Sequence, residues 1–170
     1  MTGRLAGLLA VLGVALMGGV AVTANAQGAV PDAVLQWVPL AQQFAQVYAN
    51  LDPAEILAVI WNESTGDPKG SNPGDPSWGL MGVTMLIGKA YAGVTDNSQL
   101  FDPATNVRAG AGYLSALKNE YEGQFPDWPD AYNVGETKFN KGIRSPLTNG
   151  TTYSQRFFSR VAALNATGQV

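Results

Sequence analysis

The stretch Ile60-Trp61-Asn62-Glu63-Ser64, followed downstream by Ser77-Trp78-Gly79-Leu80-Met81, decides how this chain is read. Counting back from Glu63 at helical spacing gives Ile60, Val59 and Ile56, so an acidic side chain falls on the apolar face of its helix. Desolvation disfavours an ionised carboxylate in such a place and raises its pKa. A carboxylic acid that keeps its proton near neutral pH is what a general acid needs. A structural alternative stands beside this one: a buried Glu63 paired with Arg108 or Lys89.

The helix that ends at Glu63 has a legible start. Asp52-Pro53-Ala54-Glu55 offers an Asp cap, a proline in the first turn and a glutamate at the third position. Asp102-Pro103 repeats that signal ahead of a stripe made by Val107, Ala111, Leu114, Leu117 and Tyr121. Residues Pro31 to Asn50 carry a helical period interrupted by Pro39, which predicts a kinked helix or two short ones. A helical patch follows from about Thr84 to Tyr91, then a turn of helix at Asp130 to Asn133. The last helix shows Tyr153, Phe157, Val161 and Leu164 on one face. Gly66 to Ser77 and Gly135 to Gly150 read as loops, and no strand pattern is convincing. The expectation is an all-α domain of about five to seven helices, without repeats.

Composition narrows the chemistry. The chain has 170 residues, 46% of them apolar, and a formal charge of −3. Its ten Lys and Arg are scattered, so no nucleic-acid partner is expected. There is no histidine and no cysteine. That removes Ser-His-Asp and Cys-His triads, thiolate chemistry, disulfides and nearly every zinc site, and no metal or cofactor is expected. Carboxylates, hydroxyls, amides and aromatics remain, and glycoside cleavage is the largest enzyme class that runs on them.

Met1 to Ala26 reads as an export signal or an uncleaved anchor helix, with the domain at residues 27–170. Arg4 supplies the positive start, Leu5 to Val22 is apolar, and Ala24-Asn25-Ala26 is a small-x-small cleavage site. The apolar run is longer than a typical signal core and approaches the length that spans a bilayer.

Five segments in order resemble the lytic transglycosylase domain of the soluble-lytic-transglycosylase type, whose fold is related to goose-type lysozyme. Glu63-Ser64 resembles the family's Glu-Ser. Gly79-Leu80-Met81 matches its Gly-Leu-Met-Gln, except that Gly82 stands where the family has glutamine. Phe101-Asp102-Pro103 with Asn106-Val107-Arg108-Ala109-Gly110 matches its Phe-Asp-Pro helix. Ala131-Tyr132-Asn133-Val134-Gly135 matches its Ala-Tyr-Asn-x-Gly, and Tyr153 with Val161 fits its C-terminal helix.

The resemblance implies a compact lysozyme-like helical domain. It also implies cleavage of the β-1,4 bond between N-acetylmuramic acid and N-acetylglucosamine in peptidoglycan, leaving a 1,6-anhydromuramyl end. Glu63 is then the single acid and base. Tyr132 and Asn133 are expected on the acetamido group or on Glu63, with Ser64 and Ser77 assisting from the loop side. Met81 is expected as apolar wall, and Trp78 and Tyr91 as platforms for sugar rings. Packing in the core is the competing role for Tyr153, Trp61 and Met81; a structural ion pair is the expected role for Arg108. A muramidase that uses water with Asp75 or Asp67, and a non-catalytic wall-binding assembly protein, are the alternative functions. The partners implied are peptidoglycan glycan strands, with a membrane or an assembly as a means of localisation. The implied location is exported, periplasmic or membrane-anchored, or virion-associated.

Overall fold

The computed structural model describes residues 29–72, 74 and 76–170. The signal or anchor expected at Met1 to Ala26, and Asp75, lie outside the described residues. Among the described residues no helix is long and apolar enough to cross a membrane.

Helix α3 (Pro53–Glu63) runs through the middle of the molecule, and its cap forms as its sequence predicts. Asp52 Oδ1 accepts from the Ala54 N–H at 2.8 Å, and Glu55 Oε2 accepts from the Asp52 N–H at 2.8 Å. Every residue from Ala54 to Trp61 is buried, on all sides of the helix. The apolar face counted back from Glu63 is therefore no special face. What distinguishes Glu63 is its place at the helix end, where burial gives way to a cavity.

The other helices wrap this rod. Helices α1 (Asp32–Leu35) and α2 (Val38–Val47) come from the segment predicted to kink or split. It splits, and Pro39 sits in the first turn of α2, where its missing N–H costs nothing. A two-stranded hairpin, β1 (Ser71–Asn72) with β2 (Ser77–Trp78), pairs Ser71 with Trp78 and Asn72 with Ser77. The sequence predicts no strand here, because two residues per strand are too few to show an alternation. Helix α4 (Met85–Ala92) starts on Thr84 and packs on α5 (Pro103–Tyr121), which starts on Asp102; a 3-10 turn (Asn97–Phe101) lies between them. Short helices α6 (Asp130–Val134) and α7 (Glu136–Asn140) lead to α8 (Tyr153–Asn165), which packs along α3.

The eight α-helices among the described residues exceed the five to seven expected. The excess is α7, a short helix in a segment that reads as polar loop; the split into α1 and α2 is one of the two outcomes expected for that segment. The all-α reading otherwise stands.

Candidate active site

The chain must turn sharply after Glu63, and Ser64 makes the turn. Its hydroxyl reaches the carbonyls of Ile60 (3.1 Å) and Leu80 (2.8 Å) and accepts from the Gly66 N–H (3.1 Å). This ties the end of α3 to the Gly79-Leu80-Met81-Gly82 loop.

That loop is closed at its base by Trp78 and Val83, which exchange backbone hydrogen bonds at 3.0 and 2.9 Å. The carbonyls from Trp78 to Met81 each have a donor. Asn106, fully buried on α5, donates from Nδ2 to the Trp78 carbonyl (2.7 Å) and the Leu100 carbonyl (2.8 Å), and its Oδ1 accepts from the Met81 N–H (2.8 Å). The Gly82 N–H bonds to the Gly79 carbonyl, Ser64 to that of Leu80, and the Tyr132 hydroxyl to that of Met81 at 2.9 Å. A Cβ on Gly79, whose φ is +74°, would stand 2.3 Å from Asn106 Nδ2, so the hub works only with glycine above it. A backbone tied at four successive carbonyls is held in place.

Against this frame stands Glu63. Its Oε1 accepts from the Tyr153 hydroxyl at 2.7 Å. Tyr153 is the first residue of α8, and the N-terminus of that helix is itself anchored. The fully buried Asp130 carboxylate accepts from the Ser154 N–H (2.8 Å), the Ser154 hydroxyl and the Ser145 N–H (3.0 Å). Arg160, further along α8, donates to Asn62 Oδ1 and lies over the Trp61 ring at 4.8 Å; burial pulls its pKa down to about 10.

Tyr153 opens a file of aromatic rings. It stacks on Tyr132 (6.5 Å between centroids), which meets Tyr113 (5.4 Å), which meets Tyr91 (6.0 Å) at the surface. Burial, and after it the charge of Glu63, pushes the Tyr153 and Tyr132 hydroxyls well above the usual tyrosine range, so both remain donors at neutral pH.

Two cavities meet at Gly82. One, of about 280 Å³, is polar and is lined by Glu63, Ser64, Thr65, Ser71, Asn72 and Ser77 among others. The second, of about 450 Å³, is lined by Val83, Ile87, Tyr113, Tyr132, Asn133 and Glu136 among others.

The expected site residues thus divide. Glu63, Ser64 and Ser77 share the polar cavity, and Tyr132 and Asn133 line the second. The Tyr132 hydroxyl holds the Met81 carbonyl rather than Glu63, and the Ser64 hydroxyl is taken up by backbone. Met81 is no cleft wall: it is fully buried, packed against Gly110. Trp78 is half-buried against the core and Tyr91 ends the aromatic file; neither is among the residues lining the two cavities. Arg108 lies over the Phe44 ring at 6.0 Å, and neither it nor Lys89 is in an ion pair among the described residues. Sequence reasoning missed Tyr153 as a partner of Glu63. The signal was its place directly after the Thr152 cap, at the anchored end of a helix.

The helical architecture is shared with solved lytic transglycosylases. The 70-kDa soluble lytic transglycosylase, solved in complex with bulgecin A, superposes with a TM-score of 0.66 over 79% of this chain and 25% of its own, at 19% identity. An inactive mutant of the lytic transglycosylase Slt from Pseudomonas aeruginosa gives 0.64 over 77% of this chain and 24% of its own, at 21% identity. Residues 41–154 match the model of the transglycosylase SLT domain, and the chain belongs to that family. It is 33% identical over 119 residues to membrane-bound lytic murein transglycosylase C of Yersinia enterocolitica, which covers 66% of this chain. The chain spans about a third of the length of the curated relatives it matches.

Proposed function

We infer that this domain is a peptidoglycan lytic transglycosylase that cleaves the β-1,4 bond between N-acetylmuramic acid and N-acetylglucosamine, with Glu63 as its one acid and base. The observation that carries the reading is the Glu63 carboxylate on the wall of an open polar cavity, held at Oε1 by a neutral hydroxyl. Among the described residues it is the only carboxylate lining that cavity.

The Tyr153 proton occupies Oε1, so the proton to be delivered sits on Oε2, on the Gly82 side. It passes to the glycosidic oxygen as the bond from that oxygen to muramyl C1 breaks, and the carboxylate is left ionised. The same carboxylate then takes the proton of the muramyl C6 hydroxyl, whose oxygen bonds to C1 and closes the anhydro ring. No water is consumed. Asn133 and the hydroxyls of Ser71 and Ser77 are the groups at hand for acetamido and sugar hydroxyls.

A second reading, hydrolysis by water, is favoured by one observation: Glu136 lines the second cavity and supplies another carboxylate along the cleft. Asp67 caps its own turn through the Lys69 N–H at 2.8 Å, as turn chemistry predicts, and is not a cavity-lining residue. The hydrophobic leader and the membrane-bound relatives support an exported domain that faces the cell wall, periplasmic or anchored.

Digestion of purified peptidoglycan, with mass spectra of the soluble fragments, tests the reading. Anhydromuropeptides from the wild type and none from Glu63→Gln are expected. Fragments heavier by one water, with reducing ends, would overturn it in favour of hydrolysis. No fragments from either protein, with retained wall binding, would leave a non-catalytic binder.

A further inference from the structure

We propose that Gly82 is a positioning residue for Glu63: its missing side chain lets the loop backbone close on the Oε2 side of the carboxylate and keeps the two cavities joined beside it. The inference rests on the reading of Glu63 as the acid.

A Cβ at residue 82 would stand 2.7 Å from Glu63 Oε2, 3.2 Å from its Cβ and 3.3 Å from its Cδ. The carboxylate oxygen, at the end of a flexible side chain, would swing aside and the stem would give by a few tenths of an ångström, so a side chain at 82 moves the carboxylate off the position it holds here. Tyr153 holds the other oxygen at 2.7 Å. The carboxylate is gripped from two directions, by a hydroxyl on α8 and by bare backbone of the loop. That backbone cannot retreat, because the bonds from Ser64, Asn106 and Tyr132 pin it. Gly82 is also the residue that both cavities share, so a side chain here would stand in the passage between them.

The departure from the resembled Gly-Leu-Met-Gln pattern therefore does not mark a decayed site. At this position a side chain would displace the Glu63 carboxylate from its observed seat. With φ at +57°, the position also favours glycine on backbone grounds, and these two costs must be separated.

Gly93 separates them. Its φ is +67°, and a Cβ built there meets nothing within 4 Å. Gly82→Ala and Gly93→Ala carry similar backbone strain, and only the first touches Glu63. For Gly82→Ala, kcat is expected to fall about 10- to 100-fold, with KM within about twofold of wild type. Gly93→Ala should keep both. Independently of turnover, the Glu63 titration followed by carbon NMR of labelled glutamate carboxyls should move in Gly82→Ala and not in Gly93→Ala. Should Ala at 82 lose the fold, Gly82→Asn tolerates the left-handed backbone and keeps the contact.

Equal kcat and equal Glu63 titration in the two alanine variants would overturn the proposal. So would a raised KM with kcat unchanged, which would make residue 82 a substrate contact. A wild type that releases no fragments would instead strike the reading of Glu63 as the acid, and the NMR comparison still decides on positioning.

Discussion

Helix α3 carries two glutamates little more than two turns apart, and the fold treats them in opposite ways. Glu55 is buried, its carboxylate accepts the cap N–H of Asp52, and both its oxygens face Lys118 Nζ at 2.8 Å. Glu63 accepts a hydrogen bond from an uncharged tyrosine hydroxyl and lines a cavity. A carboxylate matched to a cation and a backbone donor is held through its charge, and replacing it would leave the lysine without its nearest partner. A carboxylate held by a neutral donor keeps its position whichever protonation state it adopts. A hydroxyl donor is compatible with the proton transfers proposed for Glu63.

Glu63→Gln tests the functional half of this contrast and should have the largest effect. The amide keeps the volume and still accepts from Tyr153, so stability should stay within about 1 kcal/mol of wild type. Activity should fall by about 10²–10⁴-fold, the usual contribution of a general acid. Glu55→Gln is the mirror experiment. It breaks a mostly buried pair, at a cost near the lower end of about 3–5 kcal/mol, because Glu122 remains 3.6 Å from Lys118. Denaturant midpoints should drop while turnover per folded molecule is kept. Lost turnover at unchanged stability would erase the distinction between the two residues.

What was legible in the sequence follows from the range of each interaction. Asp52-Pro53 and Asp102-Pro103 cap within three residues of themselves, so both starts were readable and both formed. The motif residues were readable as a set, but their roles were not. Tyr132 and Tyr153 are both tyrosines near Glu63; which one donates to it depends on how α6 and α8 pack, over separations of 69 and 90 residues. Asn106 lay in a recognised motif, yet nothing local tells that it holds the Gly79 to Gly82 loop from α5. Gly82 read as a missing polar group because a sequence shows an absent side chain and not the carboxylate that occupies its space.

The neutral donor beside Glu63 can itself be removed. Tyr153→Phe leaves the ring stack and deletes the hydroxyl, and about a tenfold loss of kcat is expected, with stability lower by about 1 kcal/mol. The pH dependence sharpens this. With its pKa raised in the fold, Tyr153 keeps its proton while the unfolded chain gives one up near pH 10. The unfolded state then binds fewer protons, so stability is full below about pH 10 and falls as pH rises beyond it. Each such tyrosine contributes a slope of about 1.4 kcal/mol per pH unit. Stability curves from pH 9 to 12 should therefore be shallower by one proton in Tyr153→Phe and likewise in Tyr132→Phe. An unchanged slope would mean that these hydroxyls ionise in the folded protein and that the donor to Glu63 is lost in alkali.

Ser64 offers the smallest and most discriminating test, because it neighbours Glu63 in sequence and yet works for the frame. Its hydroxyl spans the end of α3 and the loop through the Ile60 and Leu80 carbonyls. Ser64→Ala leaves the Leu80 carbonyl without its donor, at about 1 kcal/mol. Because that loop carries the backbone against Glu63, a small fall in kcat should accompany the loss of stability, and KM should hold. A raised KM at unchanged stability would return Ser64 to the sugar-binding role its position suggests.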